Sequence, residues 1–382
     1  MAFKKSILSQ ITENVNRYEF QNQVSKYQGD FKVSKLNCFN LLVLMIFTHL
    51  KPNKTLRDIA ICFKTAISSL YHLGVKSYKR STISDSLKNR PAKIYEDFYY
   101  YLLSTLNRKE RRKMKMKINL IDSTTISLCL SKFDWAKYRK AKGGLKLHVL
   151  IDSETHLAEQ IIMTNAVVHD MKAIKDKIDF KKGQMYVYDR GYACYNYLYG
   201  KELAEAFFVT RIKSNWTINI IDEKEAKGKG ILADQIIEVD GNKNSDYPKH
   251  LRLVTFYHEE SKKTLKFITN NFKLSAKKIA NIYKMRWQIE LFFKWMKQHL
   301  KIKQFLSTSE NGVKIQIWTA LITHILLHKI KMICNFEIDA FTLYRYLQDH
   351  LFSKIDLFDL ITQTKKEDPP DDSYVQLELK YA

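Results

Sequence analysis

The chain has 382 residues, 45% of them hydrophobic, which is enough for two or three domains that each bury a core. Its 64 Lys and Arg residues against 40 Asp and Glu residues give a net charge of +24, which favours a polyanionic partner, nucleic acid before an anionic membrane. The longest apolar runs, residues 41–47 and 318–327, are too short to cross a bilayer, and the first residues lack the apolar core of a signal peptide, so we expect no membrane association. Five scattered cysteines without a Cys-x-x-Cys pair indicate a reducing cytoplasm and argue against structural zinc or disulfides.

The first part of the chain, residues 1–110, is predicted to be helical. An apolar run within residues 34–50 indicates a buried helix, and a second short helix follows it. A turn at Gly74 and the basic residues 76–82 lead to a further helix. This arrangement fits a helix-turn-helix-like DNA-binding domain, and it equally fits a helical packing domain with a solvated basic face. Residues 107–117 are predicted to form a basic linker.

After the linker the hydrophobic pattern changes from helical to strand-like. Two helices, at residues 171–178 and 195–205, interrupt the strands, and Asp170 is expected to cap the first of them. Residues 216–273 hold four more short strands punctuated by Gly and Pro, which indicates a β insertion. The strands before the insertion are predicted at residues 118–122, 144–152, 157–168, 185–189 and 207–213. Strands followed by β-α-β alternation predict an α/β fold, a mixed sheet flanked by helices.

A polar stripe lies on an otherwise apolar helix predicted over residues 283–297. At roughly 100° per residue its four main members fall within an arc of about 60°, and Lys294 widens that arc to about 80°. The four are Tyr283, Arg286, Glu290 and Lys297. Taken alone, the stripe is explained by a structural ion pair at the edge of a core or by a functional site.

Two further carboxylates, Asp122 and Asp189, each end a hydrophobic strand. Strand ends at a sheet edge are where sites in α/β folds gather. Together with Glu290 they would repel one another unless cations neutralised them, and oxygen ligands favour Mg²⁺ or Mn²⁺. Two such ions can activate an attacking hydroxyl and stabilise a leaving oxygen in phosphoryl transfer.

The stripe has the spacing Tyr-(2)-Arg-(3)-Glu-(6)-Lys, and the two aspartates lie in Ile121-Asp122-Ser-Thr-Thr and Tyr188-Asp189-Arg-Gly-Tyr. In these motifs, over about residues 115–330, the chain resembles the DDE transposases of bacterial insertion sequences, in the group that carries this signature. The resemblance implies a ribonuclease-H-like mixed sheet with a β-strand insertion (about 216–273) before the helix of the catalytic Glu. With the sequence pattern on either side, we expect an N-terminal helical DNA-binding domain (1–110), the catalytic domain (115–335), and a C-terminal helical segment with a disordered tail (336–382).

The resemblance further implies that Asp122, Asp189 and Glu290 are catalytic and bind Mg²⁺ or Mn²⁺, as two ions. Such an enzyme cuts double-stranded DNA at transposon ends and joins the freed 3′-hydroxyl to target DNA, as a homodimer in a synaptic complex. In relatives with this signature, excision passes through a DNA hairpin. The expected location is the bacterial cytoplasm, in association with the nucleoid. The expected DNA-binding residues are Tyr283, Arg286, Lys294, Lys297, Arg211 and Lys213.

Two other functions stay open: a structure-selective nuclease on the same fold, and a non-catalytic DNA-binding protein derived from a transposase. A hairpin needs a base held outside the stack by an aromatic side chain. Trp216 and Trp287 are the two candidates, and we expect Trp287 to pack in the core. His169 and Asp170 are interpreted as a helix cap rather than a metal site.

Overall fold

A computed structural model describes residues 5–51, 55–107, 116–129, 131–139, 142–175, 177–240, 247–299, 305–334 and 340–367. Most of the predicted basic linker and residues 368–382 of the predicted tail lie outside the described residues. The chain forms two compact units. Met1–Lys109 and Trp295–Ala382 make up the first, and Glu110–Lys294 the second. Residues 295–334, which we expected in the catalytic domain, therefore group with the first unit.

The first unit is built from helices. Polar side chains at Ser6, Asn16, Asn37 and Thr55 accept hydrogen bonds from the first turns of four of them and so fix where those helices begin. The helices in chain order are α1 (Ile7–Thr12), α2 (Arg17–Lys26), α3 (Cys38–Leu50), α4 (Leu56–Thr65), α5 (Arg80–Asn89), α6 (Lys93–Asn107), α11 (Glu310–Cys334), α12 (Ala340–Gln348) and α13 (Leu357–Glu367).

Helix α11 is the core element of the first unit. It packs against α3, α5, α6 and α12, and apolar side chains are buried along most of its length. Among the described residues it is also the one helix long and apolar enough to cross a membrane, whereas the sequence indicated no run of that length. Because 67% of its most apolar 18-residue stretch is buried inside the protein, the apolar composition of α11 is explained by the core that it fills.

The second unit is organised around one ten-stranded sheet, a mixed α/β arrangement as predicted. β1 pairs with β5 and β5 with β6 in parallel, and the other pairs are antiparallel. The strand order is β2-β3-β1-β5-β6-β10-β9-β8-β7, with β4 also paired to β3. The strands are β1 (Ile118–Leu128), β2 (Lys137–Arg139), β3 (Lys142–Asp152), β4 (Ala158–Asn165), β5 (Met185–Tyr188), β6 (Phe207–Arg211), β7 (Thr217–Lys224), β8 (Ile231–Asp240), β9 (Leu251–His258) and β10 (Lys263–Thr269).

The predicted insertion corresponds to β7–β10, and these strands do not form a separate small sheet. β10 pairs with β6, so the four strands extend the sheet that carries the two aspartates. The short strand β2 was not predicted, since three residues are too few to show a period.

Helices cover both faces of this sheet. One face carries α7 (Asp170–Ile174) and α8 (Tyr195–Leu203), whose Ile174 and Leu198 join a buried cluster with Ile121 of β1. The other helices are α9 (Ala276–Lys284), which packs against β5, β6 and β8–β10, and α10 (Trp287–His299), which begins in the second unit and ends in the first.

Candidate active site

Strand register brings Asp122 and Asp189 to the same level of the sheet. In the parallel pair of β1 and β5, Ile121 lies opposite Tyr188, so the next residue on each chain is an aspartate. Successive side chains on a strand point to opposite faces, and because Ile121 packs under α7 and α8, Asp122 points to the other face. The apolar runs that form the two strands thus deliver two carboxylates to one edge.

Asp122 is held in a partly dry environment. Its Oδ1 accepts a hydrogen bond of 2.7 Å from the backbone N–H of Ser123. The pKa of Asp122 is raised to about 6. Burial is the main cause, and the charges of Glu290 and Asp189 add to it, whereas the Ser123 N–H and Arg286 act in the opposite direction. Crowded carboxylates with poor access to water favour a bound cation.

The predicted single helix over residues 283–297 is wrong, because the helix is broken. α9 ends at Lys284 and α10 begins at Trp287, with i→i−3 hydrogen bonds from the N–H of Arg286 to Tyr283 and from that of Ile289 to Arg286. Such bonds tighten the turn, so the arc calculated for one continuous helix does not hold. Arg286 lies in the turn itself, between the helix that carries Tyr283 and the helix that carries Glu290.

Arg286 bridges two of the three carboxylates. Its guanidinium donates to Glu290 Oε1 at 2.6 Å and lies 3.5 Å from Asp122 Oδ2. Burial by itself would lower the pKa of Arg286, but Tyr283, Glu290 and Asp122 outweigh it and the pKa is raised. The side chain is 18% exposed, so a permanent positive charge lies among the acids with little water around it.

Tyr283 connects the third carboxylate to the same group. Its hydroxyl donates to Asp189 Oδ1 at 3.4 Å, and its ring packs on Phe267 of β10 with centroids 4.6 Å apart. Burial raises the pKa of Tyr283 to about 12, against the opposing charge of Arg286, so the phenol stays a hydrogen-bond donor at neutral pH. Tyr283, Arg286 and the three acids therefore form one connected cluster.

The atoms of this cluster that could bind a metal are the carboxylate oxygens of Asp122, Asp189 and Glu290, and such oxygens suit a hard divalent cation. Their present spacing does not: within the part of the chain that the structure describes, no three Asp, Glu, His or Cys side chains lie close enough to hold a metal ion. The guanidinium of Arg286 gives a physical reason, since it lies between Asp122 and Glu290 and is paired with both.

Among the other expected DNA-binding residues, Arg211 lies near the cluster. Arg211 ends β6 opposite Phe267, near enough to Tyr283 for its charge to act on that phenol's pKa, which burial raises and Arg211 lowers. Lys213 is half-buried in the turn after β6, and Lys294 is exposed on α10. Lys297 is half-buried two turns beyond Glu290, where α10 belongs to the first unit.

Of the two tryptophans considered for holding a base, Trp287 differs from expectation. Trp287, expected in the core, is 51% exposed at the start of α10, directly after Arg286. Trp216 is half-buried against the cluster of apolar side chains between the sheet and its helices. The break between α9 and α10 explains the first result, because it turns Trp287 away from the face that a continuous helix would bury.

The interpretation of His169 and Asp170 as a helix cap is confirmed for His169 and wrong for Asp170. The cap of α7 is His169, whose Nδ1 accepts from the N–H of Met171, and Asp170 is the first helical residue. Its carboxylate instead accepts a hydrogen bond of 2.7 Å from Ser123, the residue after Asp122. Hydrophobic periodicity could not predict this contact, because it joins residues 47 positions apart.

Comparison with known proteins gives matches over most of the chain. A family model described as a transposase DDE domain matches residues 113–326, and one described as a domain of unknown function matches residues 3–76. A putative transposase of Sinorhizobium fredii is 35% identical over 64% of this chain and 69% of its own length. A probable insertion-sequence transposase of Geobacillus stearothermophilus is 28% identical over 66% of this chain and 68% of its own length.

A putative insertion-sequence transposase of Synechocystis is 28% identical over 72% of this chain and 78% of its own length. Among solved structures, the synaptic complex of piggyBac transposase with hairpin DNA aligns with a TM-score of 0.44 and 9% identity, covering 97% of this chain and 82% of that chain.

Proposed function

The chain belongs to the DDE transposase family, and from that premise we propose that it binds the ends of an insertion sequence and catalyses metal-dependent cleavage and transfer of DNA strands, in cut-and-paste transposition. One observation supports this most: Asp122 and Asp189 end up side by side on parallel strands, and Arg286 ties Glu290 to the same cluster. The mixed sheet with helices on both faces supports a ribonuclease-H-like core.

In this proposal Asp122, Asp189 and Glu290 are the catalytic residues and hold Mg²⁺ or Mn²⁺, as two ions. Bound there, the ions would lower the pKa of an attacking water or 3′-hydroxyl and stabilise the leaving oxygen. The residues of the chain orient the carboxylates: the N–H of Ser123 holds Asp122, and the Tyr283 hydroxyl holds Asp189.

Arg286 is the residue of this cluster best suited to the scissile phosphate. A guanidinium can bind a phosphate through two parallel hydrogen bonds, and its Nε is buried without a hydrogen-bond partner. Cations held by the acids would weaken the pairing of Arg286 with them, and the guanidinium would then be available to the DNA backbone. Tyr283, Arg211, Lys213, Lys294 and Lys297 supply the remaining contacts to the DNA strand in this proposal.

We assign the remaining parts of the chain as follows. Residues 1–110 bind the transposon ends, residues 115–335 carry the chemistry, and α12 and α13 form a C-terminal helical segment. For end binding, Lys76, Lys79 and Arg80 are exposed before and at the start of α5, as a phosphate-binding surface requires. Two copies would act together in a synaptic complex on double-stranded DNA, in the cytoplasm at the bacterial nucleoid.

The test uses the full chain, a plasmid with the element's own ends, and Mg²⁺. Glu290→Gln keeps the size of the side chain but removes its charge, so it should abolish cleavage while end binding persists. Glu310→Gln is the matched control, because Glu310 forms an i,i+4 ion pair of 2.6 Å with Lys314, the same spacing and length as the pair of Arg286 and Glu290. It should cut like the wild type.

The products separate the proposed function from its alternatives. Joined donor and target DNA is expected of a transposase. Cleavage without any joined product would identify a nuclease, and binding without metal-dependent cutting would identify a non-catalytic DNA-binding protein. Wild-type cutting by Glu290→Gln would show that the assignment of the third carboxylate is wrong.

A further inference from the structure

A second polar cluster lies on the opposite face of the sheet, behind Asp122. β1 and β3 pair so that Ser123 lies opposite His148, and Lys146 is two residues further along the same face of β3. Asp170, at the start of α7, reaches all three. Its Oδ1 lies 2.7 Å from Ser123 Oγ, 3.2 Å from Lys146 Nζ and 3.6 Å from His148 Nδ1. One carboxylate therefore gathers side chains from two strands.

Lysine, rather than histidine, balances the charge of Asp170. His148 is almost completely buried, and burial lowers its pKa to about 4, although Asp170 opposes the shift. The imidazole is therefore neutral at physiological pH, and its Nε2 is held by Thr164 Oγ1 at 3.0 Å. Lys146 also donates to the carbonyl of Val168, which fixes its ammonium beside Asp170.

The cluster is joined to the proposed active site through a single residue. Ser123 gives its hydroxyl to Asp170 and its backbone N–H to Asp122 Oδ1, both at 2.7 Å. The side chains of Asp122 and Ser123 lie on opposite faces of β1, so Ser123 connects a carboxylate on one face to a carboxylate on the other. Tyr192, three residues after Asp189, borders the same cluster: burial raises its pKa, and the charges of Asp170 and Asp122 raise it further.

We propose that Asp170 is a positioning residue of this enzyme, which acts through the Ser123 hydroxyl to hold the Asp122 carboxylate in the orientation that a divalent cation requires. This inference rests on the proposed function, because it assumes that Asp122 is a metal ligand. Asp170 itself touches neither metal nor DNA. Hydrogen-bonded partners of ligating carboxylates typically change metal affinity or activity by about 10- to 100-fold when they are removed.

The experiment measures Mn²⁺ binding to the full chain without DNA, from the electron paramagnetic resonance signal of the free ion. Ser123→Ala and Asp170→Ala should each weaken binding by about 10- to 100-fold. The double variant should be no weaker than the weaker single one, because both changes break one chain of contacts. Ser123→Thr keeps the hydroxyl and should bind like the wild type. Asp170→Asn keeps an acceptor oxygen and should lose less than Asp170→Ala.

The matched control is Asp97→Asn in the first unit. Asp97 is also a partly buried carboxylate held by a lysine and a hydroxyl, from Lys26 and Tyr27, each at 2.7 Å. It should leave Mn²⁺ binding unchanged. If Asp170 only anchored α7, its variants would lower the melting temperature and leave Mn²⁺ affinity within twofold of the wild type, which would overturn the proposal.

Strictly additive losses in the double variant would also overturn it, since they would show that Ser123 and Asp170 act separately. Should Asp170→Ala not fold, Ser123→Ala and Ser123→Thr test the same contact from the other side. Failure of the proposed function looks different: Asp122→Ala would then bind Mn²⁺ as tightly as the wild type, whatever the Asp170 variants do.

Discussion

Replacing Arg286 by methionine tests whether the arginine neutralises the acidic cluster when no metal is bound. Met is of similar length but carries no charge, so Asp122 and Glu290 lose their shared partner while the packing volume is nearly kept. We expect Arg286→Met to be less stable than the wild type in a chelating buffer. Mg²⁺ should stabilise the variant more than the wild type, because the ion then supplies the missing charge.

The size of the effect follows from burial. The side chains of Arg286, Asp122 and Glu290 are 18%, 21% and 33% exposed, at contact distances of 3.5 and 2.6 Å. Exposed ion pairs contribute about 0–1 kcal/mol, and loss of one partner from a fully buried pair costs about 3–5 kcal/mol, so about 2 kcal/mol is expected here. For a unit of this size, that corresponds to a melting temperature lower by about 4–8 °C.

Differential scanning calorimetry with and without Mg²⁺ measures both quantities. The matched control is Lys182→Met, which removes the ion pair of Lys182 with Glu205, also 2.6 Å long but with side chains 74% and 65% exposed. Its melting temperature should change by no more than about 3 °C. The reasoning is refuted if Arg286→Met melts with the wild type in chelator, or if Mg²⁺ raises both melting temperatures equally.

Three further outcomes are expected. Since burial raises the pKa of Asp122 from 3.8 to about 6, its ionisation destabilises the native state progressively between these two values when no metal is bound; Asp122→Asn should then be more stable than the wild type by about 3 kcal/mol at neutral pH, and the gain should vanish near pH 4 in a calorimetric pH series. Trp287→Ala should change stability by less than about 0.5 kcal/mol, because the ring is 51% exposed, yet weaken binding of an end with an unpaired base by about 1–3 kcal/mol in an anisotropy titration. Lys79→Ala and Arg80→Ala should each reduce the salt dependence of end binding by about one phosphate contact, whereas Lys88→Ala at the other end of α5 should not.

The parts of the fold that the sequence predicted are those governed by local pattern. Buried strands read as apolar runs, so the strands before Asp122 and Asp189 and the mixed sheet they build were recognisable. The break between α9 and α10 at Arg286 was not recognisable, because apolar residues continue through it and no Gly or Pro marks a helix end. The sequence also could not predict that β10 pairs with β6 or that Ser123 contacts Asp170. Both contacts join distant segments, whereas hydrophobic periodicity reports only on local structure.

The order of the site's residues along the chain has a consequence during synthesis. Asp122 and Asp189 can meet as soon as β5 pairs with β1, but Arg286 and Glu290 lie about 100 residues further on. At about 5–20 residues per second, a ribosome needs roughly 5–20 s more to make them. Throughout that interval the nascent chain carries Asp122 and Asp189 but neither Glu290 nor Arg286, the arginine that ties Glu290 to Asp122. Under the proposed function, the third carboxylate therefore joins the site only after α9 and α10 have been made, so that the last part of the site to form is the part that completes it.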